Sequence, residues 1–302
     1  MECLICGGNN FKPYYYPPNI FNNKTFTYHE CTSCYSARIS PFPNDEDMAL
    51  MYGSNDHAYL LSLKDGEQLS YSLNYPKYNH QGFQLHFFKK YNYKQYGTTL
   101  LDIGCGSGFY MNYAQNFGFT CYGIEFSEDF AKLLRAKTGL DIYGFKEFSE
   151  RFPGEKKFDI IHLGHVLEHS IEPKQFIESL KKYAHPETVF VVDGPLEKNK
   201  CLSRFIIKCG SLLKGNRSNT YHPQHITFTD FNSQLTFFER AGFTKLNYEV
   251  QEQMFPFPSE FKISHPFRSM LFLLARLSIN ISKLNSKWGN VFHYAGKLKR
   301  KS

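Results

Sequence analysis

Four cysteines open the chain in two pairs, Cys3-Leu-Ile-Cys6 and Cys31-Thr-Ser-Cys34. Each pair can put two thiolates on one tight knuckle, and two knuckles brought together complete a tetrahedral sulfur site for zinc. Four sulfur ligands leave no open coordination position, so the metal expected on Cys3, Cys6, Cys31 and Cys34 is structural. Gly7 and Gly8 follow the first knuckle, where a turn must admit backbone N–H groups toward the sulfurs. A second constellation is Gly104-Cys105-Gly106-Ser107-Gly108, entered from the apolar run Thr98–Ile103 and left through the helical run Phe109–Phe117. Strand, glycine turn and helix together let a ligand touch bare backbone at a helix N-terminus. Asp102 stands just before the glycines, where a carboxylate meets an ammonium group better than a pyrophosphate, which favours a cofactor carrying an amino acid over a dinucleotide. The next strand, Phe119–Phe126, ends on Glu125, from where a carboxylate can hold both hydroxyls of a ribose. Histidine is the natural base near neutral pH, and His165, His169, His222 and His225 supply it in two short segments.

These residues need elements to hold them. Phe26-Thr-Tyr-His-Glu alternates as a short strand leading into the second cysteine pair. Asn44 offers an N-cap and Asp45-Glu46-Asp47 an acidic first turn for a helix through Tyr52. A further helix is predicted over about Lys77–Tyr93, with Phe83, Phe87 and Tyr91 on one face. Ser127 caps a helix after the Glu125 strand, and strands at Asp141–Gly144, Phe158–Leu163 and Thr188–Asp193 alternate with helical segments. That alternation predicts an α/β fold, a doubly wound Rossmann-like sheet with its ligand site at the strand carboxyl ends. The expected division is a zinc ribbon at 1–40, a helical connector at 41–97, and a main domain at 98–302 with insertions at about 196–222 and 253–287.

Composition narrows the class. With 42% hydrophobic residues, 30 Phe and 21 Tyr, the chain can bury a sizeable core. Its longest apolar stretch, Met270–Ala275, stops at Arg276, far short of the ~18 residues a spanning helix needs. The opening MECLICGGNN lacks the basic start and apolar run of a secretory signal, so a cytoplasmic location with reduced cysteines is expected. The net charge of +7 is concentrated beyond residue 196, where Lys and Arg exceed Asp and Glu by 11.

LLDIGCGSG, the acid at Glu125 and FDIIHLGHVLEH resemble the class I S-adenosylmethionine-dependent methyltransferases. The CxxC…CxxC ribbon in front is similar to a bacterial subgroup that methylates sugars and other small metabolites, and YHPQHITFTDFNSQLTFFERAGF resembles the family's segment before its sixth strand. The resemblance implies a seven-stranded sheet with the last strand antiparallel. It also implies that Gly104, Cys105, Gly106 and Gly108 wrap the methionine part of S-adenosylmethionine, that Asp102 faces its amino group, and that Glu125 holds the ribose beside Phe126. Leu163, Gly164 and His165 would lie near the sulfonium and adenosine. Where the family often places an acid after the third strand, this chain has Phe145, which would stack on adenine. Where the family often reads Pro-Asn after the fifth strand, this chain reads Pro195-Leu196.

Methyl transfer to a hydroxyl needs alignment and a base. His225 is the favoured base, because Tyr221-His-Pro-Gln-His-Ile-Thr follows the insertion where family members close over the acceptor. Tyr221 and His222 would orient substrate, and His169 would fix the local backbone or serve as base in its place. The expected acceptor is a small molecule, a sugar or nucleotide-linked metabolite methylated on oxygen. An RNA methyltransferase that grips nucleic acid with its ribbon, or a non-catalytic binding protein of the same fold, are the alternatives. The ribbon's lack of charge excess disfavours nucleic acid. The basic insertion 196–220 and the basic tail leave a diphosphate clamp, a peripheral membrane contact or a solvated face open, and the oligomeric state is unspecified.

Overall fold

The computed structural model describes residues 2–52, 80–214, 223–253 and 264–299. Near the amino terminus, β1 (Phe11–Pro13), β2 (Asn19–Phe21), β3 (Lys24–Cys31) and β4 (Ala37–Ser40) form a small antiparallel sheet in which β3 pairs with the other three. β3 buries Phe26, Tyr28 and Cys31 while Thr25 points to solvent, the alternation read from its sequence. The two knuckles repeat one hydrogen-bond pattern: Cys3 N donates to Gly8 O and Gly7 N to Cys3 O, as Cys31 N does to Ser36 O and Tyr35 N to Cys31 O. Gly7 and Tyr35 hold the same place in the two turns, with φ of 75° and 62°. Helix α1 (Asp45–Tyr52) begins as expected on Asn44, whose Oδ1 accepts from Asp47 N at 2.9 Å. Lys24 Nζ reaches Asp47 at 2.8 Å and ties that helix to the ribbon.

After α2 (His80–Tyr91), strands and helices alternate as β5 (Thr99–Ile103), α3 (Phe109–Gln115), β6 (Thr120–Glu125), α4 (Glu128–Thr138), β7 (Ile142–Gly144), α5 (Phe145–Arg151), β8 (Phe158–Gly164), α6 (Pro173–Leu180) and β9 (Ala184–Pro195). Then follow α7 (Leu202–Lys214), β10 (Thr227–Phe228), α8 (Phe231–Arg240), β11 (Phe243–Gln251), α9 (Pro266–Leu284) and β12 (Val291–Leu298). The main sheet has seven strands in the order β11-β12-β9-β8-β5-β6-β7. β5 to β9 pair in parallel, and β12 runs antiparallel between β9 and β11. From β5 the chain winds to β6 and β7 on one side, and from β8 to β9 on the other. The crevice at that reversal is where doubly wound sheets bind ligands.

Both faces of the sheet are buried, which is why the parallel strands read as nearly unbroken apolar runs. On one face Leu101, Ile103, Ile161, Leu163 and Phe190 pack with helix residues Phe148, Ile177 and Phe237. Cys3, Ile5 and Cys31 belong to that same cluster, so the knuckles close one side of the main core. On the other face Leu100, Ile160, Val189 and Val191 meet Tyr110 and Met111 of α3 and Leu85 and Phe88 of α2.

Helix α4 begins on the cap read from its sequence, with Ser127 Oγ accepting from Phe130 N, and it ends on Gly139, which takes φ of 69°. Sequence reasoning does not foresee β10. Thr227 and Phe228 pair with Arg38 and Ala37 of β4, so the small sheet takes a strand from far downstream of its own. Phe228 stacks on Tyr28 at 4.1 Å, inside a cluster with Phe26, Ile39 and Ile226.

Candidate active site

The glycine turn after β5 is held down by the neighbouring strand: Gly104 N and Cys105 N both donate to Ile124 O, at 2.7 and 3.1 Å. Gly104, Gly106 and Gly108 all take positive φ, at 64°, 50° and 75°. The reasons differ. A Cβ on Gly104 would stand 2.7 Å from Val166 Cγ2 and one on Gly108 would stand 2.5 Å from Leu140 Cδ1, whereas Gly106 faces open space. That opening is what a ligand against bare backbone requires. Glu125, at the end of β6, accepts from Gly106 N at 3.1 Å and from Phe126 N at 2.8 Å. Burial pushes the Glu125 carboxyl above the usual range, against those backbone donors. The rings of Phe126 and Phe145 lie parallel within 7°, their centroids 6.5 Å apart. Cys105 is buried beneath the turn, Leu163 is sealed in the core, and Gly164 ends β8. The open backbone at Gly106, the Glu125 carboxylate and the parallel Phe126 and Phe145 rings are groups whose chemistry suits S-adenosylmethionine, whereas Leu163, with no exposed surface, is closed to direct contact with it.

Beyond β8 the chain makes a tight turn through His165, a non-glycine residue at φ of 56°, whose N–H donates to Asp193 O at 2.8 Å. Val166, the residue lying against Gly104, leads into the short 3-10 turn Leu167–His169. The glycine turn therefore packs against the residue that joins His165 to the His169 turn. His225 stands over this turn: its ring meets that of His169 at 4.9 Å, edge to face. Each imidazole is fixed through Nδ1. His225 Nδ1 lies 2.5 Å from Glu197 Oε1, and His169 Nδ1 lies 3.0 Å from Gln224 O. With Nδ1 engaged by acceptors, Nε2 presents the lone pair. Glu168 lies beside His165 and His169, its Oε1 3.4 Å from His165 Nδ1 and 3.9 Å from His169 Nε2.

Charge within the cluster is set by these contacts. Burial lowers the affinity of His225 for a proton, but Glu197 and Glu168 outweigh burial and Arg204, and the net shift is upward from 6.5. His169 moves the other way, pushed down by burial and by His225 and His165 against the pull of Glu168. Burial would raise the Glu168 carboxyl, yet the three histidines bring it down to about 2. The donor atoms of Glu168, His169 and His225 lie within 4.8 Å of one another. As a metal shell this is loose, since ligands on one ion at ~2.1 Å stand roughly 3.4 Å apart. As a set of coupled proton acceptors it is close.

The loop carrying His225 is bracketed by the ribbon. Tyr28 OH donates to His225 O at 2.6 Å, Ile39 N to Ile226 O at 2.9 Å, and Ile226 N to Glu168 O at 2.7 Å. Lys198, next to Glu197, is ion-paired with Glu30 of β3 and lies over the Tyr14 ring. Behind the bracket the four cysteine sulfurs converge: Cys3 to Cys34 is 3.5 Å and Cys6 to Cys31 is 3.6 Å. The edge of a tetrahedron with ~2.3 Å zinc–sulfur bonds is about 3.8 Å, so the four thiols fit that ion. Gly8 packs closely there: a Cβ on it would lie 3.1 Å from Ser33 Oγ and 3.3 Å from Cys6 Sγ. Tyr221 and His222 lie outside the described residues.

Sequence reasoning missed the partners. Glu168 sits inside the VLEH string and Glu197 follows the Pro195-Leu196 departure, yet nothing local marks either as facing His225. It also missed a buried row under the strand ends. Asp102 Oδ1 lies 2.7 Å from His162 Nδ1, His162 Nε2 3.1 Å from Asp193 Oδ2, Asp193 Oδ1 2.6 Å from His293 Nδ1, and His293 Nε2 2.5 Å from Tyr93 OH. Burial opposes the charge on His162, but Asp102 and Asp193 raise it to about 9. Its folded-state value exceeds the ordinary 6.5, so its stabilising contribution is complete below that pH and is lost as pH rises through about 9. The melting temperature of the native protein should exceed that of His162→Gln by about 5 °C or more near pH 6, and this difference should shrink toward pH 9.5 in thermal melts.

Among curated proteins, the chain is similar to the ubiquinone biosynthesis O-methyltransferase of Caulobacter vibrioides, 33% identical over 101 residues, which is 32% of this chain and 40% of that protein. The match to the same enzyme of a second Caulobacter strain is 31% over 101 residues, so the chain spans about two fifths of the curated relatives it matches. Among solved structures, a SAM-dependent methyltransferase from Archaeoglobus fulgidus is 17% identical with a TM-score of 0.42, covering 72% of this chain and 94% of that one. The plantazolicin methyltransferase BpumL with SAH is 16% identical with a TM-score of 0.46, covering 84% and 94%. The family described as "Methyltransferase domain" matches residues 77–248, more than half of the chain, and the chain belongs to that family.

Proposed function

We propose that this protein transfers a methyl group from S-adenosylmethionine to a hydroxyl of a small-molecule acceptor, a sugar or related metabolite carried on a nucleotide or phosphate. The observation that supports this most is that Val166, which packs on Gly104 of the glycine turn, leads directly into the His169 turn, over which His225 stands with Glu197 at its Nδ1. The printed name of the curated relatives, an O-methyltransferase, agrees with a hydroxyl acceptor.

When bound, S-adenosylmethionine supplies a methyl carbon on a sulfonium, already a good leaving group. The chain's task is to align and to take a proton. Gly104, Gly106 and Gly108 turn bare backbone to the cofactor, Glu125 holds the ribose hydroxyls, and Phe126 and Phe145 flank the adenine. Asp102, fixed by His162, faces the cofactor's amino group through the turn. His225 Nε2 accepts the proton of the acceptor hydroxyl as its oxygen bonds to the methyl carbon and the carbon–sulfur bond breaks toward sulfur. Glu197 then stabilises the imidazolium that results. The four thiolates of Cys3, Cys6, Cys31 and Cys34 hold a structural zinc that stiffens the bracket around His225.

Labelled cofactor offered with a panel of nucleotide sugars and sugar phosphates tests the reading. Transfer to at least one member, unaffected by chelation of divalent cations at the histidine cluster, is expected; transfer to RNA alone would overturn it. Glu125→Ala should weaken S-adenosylmethionine binding by roughly 1.5–3 kcal/mol, the scale of charge-assisted hydrogen bonds, as read by calorimetry. An unchanged dissociation constant would move the ribose site elsewhere.

A further inference from the structure

Helix α9 carries large apolar side chains on more than its packed side. That side holds the buried Ser269, Ala275, Ser278 and Ser282 together with the partly buried Leu271, Phe272 and Ile279. Six further large apolar side chains face solvent: Phe267, Met270, Leu273, Leu277 and Leu284 are 68%, 48%, 55%, 57% and 91% exposed, and Ile281 is 36% exposed. Their spacing keeps all six on one stripe of the helix. Soluble proteins rarely leave so long an apolar line uncovered. Ala275 is packed against Leu202 and Ile206 of α7, which adds an exposed Phe205 and the exposed Lys208 to the same two-helix unit. Neither helix contains an Asp or Glu, whereas α9 exposes Arg268, Arg276 and Lys283, with Lys287 just beyond it. None of these four forms an ion pair with a described residue.

From this we infer that the outer face of α9, with α7 beside it, docks the protein on an anionic lipid bilayer. No helix among the described residues is long and apolar enough to cross a membrane, so α9 lies along the surface, with its apolar stripe in the acyl boundary and its guanidinium and ammonium groups at the lipid phosphates. A second copy of the chain is the poorer occupant, because it would set one carboxylate-free basic helix pair against another. The first turn of α7 is tied to the loop holding Glu197, since Arg204 Nε donates to Leu196 O at 3.1 Å. Docking would therefore present lipid-carried acceptors to His225, a consequence that rests on the proposed function, whereas the docking itself does not.

Co-sedimentation of the full chain with vesicles decides it. Binding to phosphatidylglycerol vesicles should exceed binding to pure phosphatidylcholine vesicles by about tenfold or more at low salt. The double substitution Leu273→Glu and Leu277→Glu should reduce that binding at least about tenfold, because the apolar stripe carries the insertion. Arg276→Gln with Lys283→Gln should erode the preference for phosphatidylglycerol while leaving residual binding. Melting curves and S-adenosylmethionine affinity should match the native protein in all variants. Failure of the native protein to bind phosphatidylglycerol vesicles, or undiminished binding by the double glutamate variant, would overturn the inference. So would ultracentrifugation showing a native dimer that the glutamate variant dissolves, which would assign the stripe to a second copy. Loss of S-adenosylmethionine binding in the native protein would strike the proposed function and leave the vesicle result standing.

Discussion

His225→Ala is expected to lower kcat by about 10²–10⁴-fold, the usual share of general-base catalysis, with S-adenosylmethionine affinity nearly unchanged. The loss belongs in kcat because a base acts on the transition state far more than on bound substrate. The structure adds a direction in pH. Glu197 and Glu168 hold the His225 imidazole above its ordinary 6.5 in spite of burial and of Arg204. A protonated imidazole cannot take the hydroxyl proton, so the native rate should rise with pH through a value above 6.5 and then level off. Glu197→Gln should shift that limb toward lower pH and slow turnover less than removal of the ring. Near-normal turnover in His225→Ala, with loss in His169→Ala, would transfer the base to His169, whose proton affinity is pushed down and whose Nε2 faces the same carboxylate. A full rate in both variants would leave positioning alone to carry the transfer.

Cys31→Ser should cost the fold ~4 kcal/mol or more, because a four-thiolate site contributes folding energy directly and Cys31 is fully buried in the main core. One zinc per chain should accompany the freshly purified reduced protein, and metal analysis finding none would defeat this. The structure also predicts where the damage appears. The glycine turn is braced by β6, whereas the His225 loop is braced by Tyr28 and Ile39 of the ribbon and the Glu197 loop by Glu30 through Lys198. Below the melting range of the variant, kcat should therefore fall while S-adenosylmethionine affinity holds. Tyr28→Phe isolates the mechanical part: it removes one hydrogen bond to His225 O and leaves the sulfurs untouched, so kcat should drop with zinc content unchanged. Equal loss of cofactor affinity in Cys31→Ser would show that the ribbon supports the whole domain and not the loop in particular.

Short-range rules made the cysteine knuckles, the glycine turn and the capped helix after Glu125 readable from the residues, because each is closed by hydrogen bonds within a few positions of itself. Cys3 to Gly8, Gly108 to Cys105 and Phe130 to Ser127 are such bonds. The parallel sheet was readable for a related reason, since apolar strands alternating with amphipathic helices have few ways to bury both faces. The same local view could not say that Thr227 and Phe228 extend the ribbon's sheet, since a two-residue strand carries no periodicity of its own and its partner is Arg38 and Ala37.

What the sequence by itself determined is thus the list of chemical groups and the elements that carry them: four thiols, a glycine turn, an acid at a strand end and a set of histidines. Only the tertiary structure decided which histidine acquires a carboxylate, because the pairing of His225 with Glu197 depends on two loops being pinned to the ribbon through Tyr28 and Lys198. It likewise decided that His162 bridges Asp102, its register partner on β5, and Asp193, which β9 places opposite Gly164, residues far apart along the chain. For α9 the residues offer apolar side chains on more than one face, and packing decided that Leu271, Phe272 and Ile279 are partly covered while Leu273, Leu277 and Leu284 face solvent. A helix's pattern specifies that its faces differ. Which face turns inward is set by the shape and polarity of what it meets.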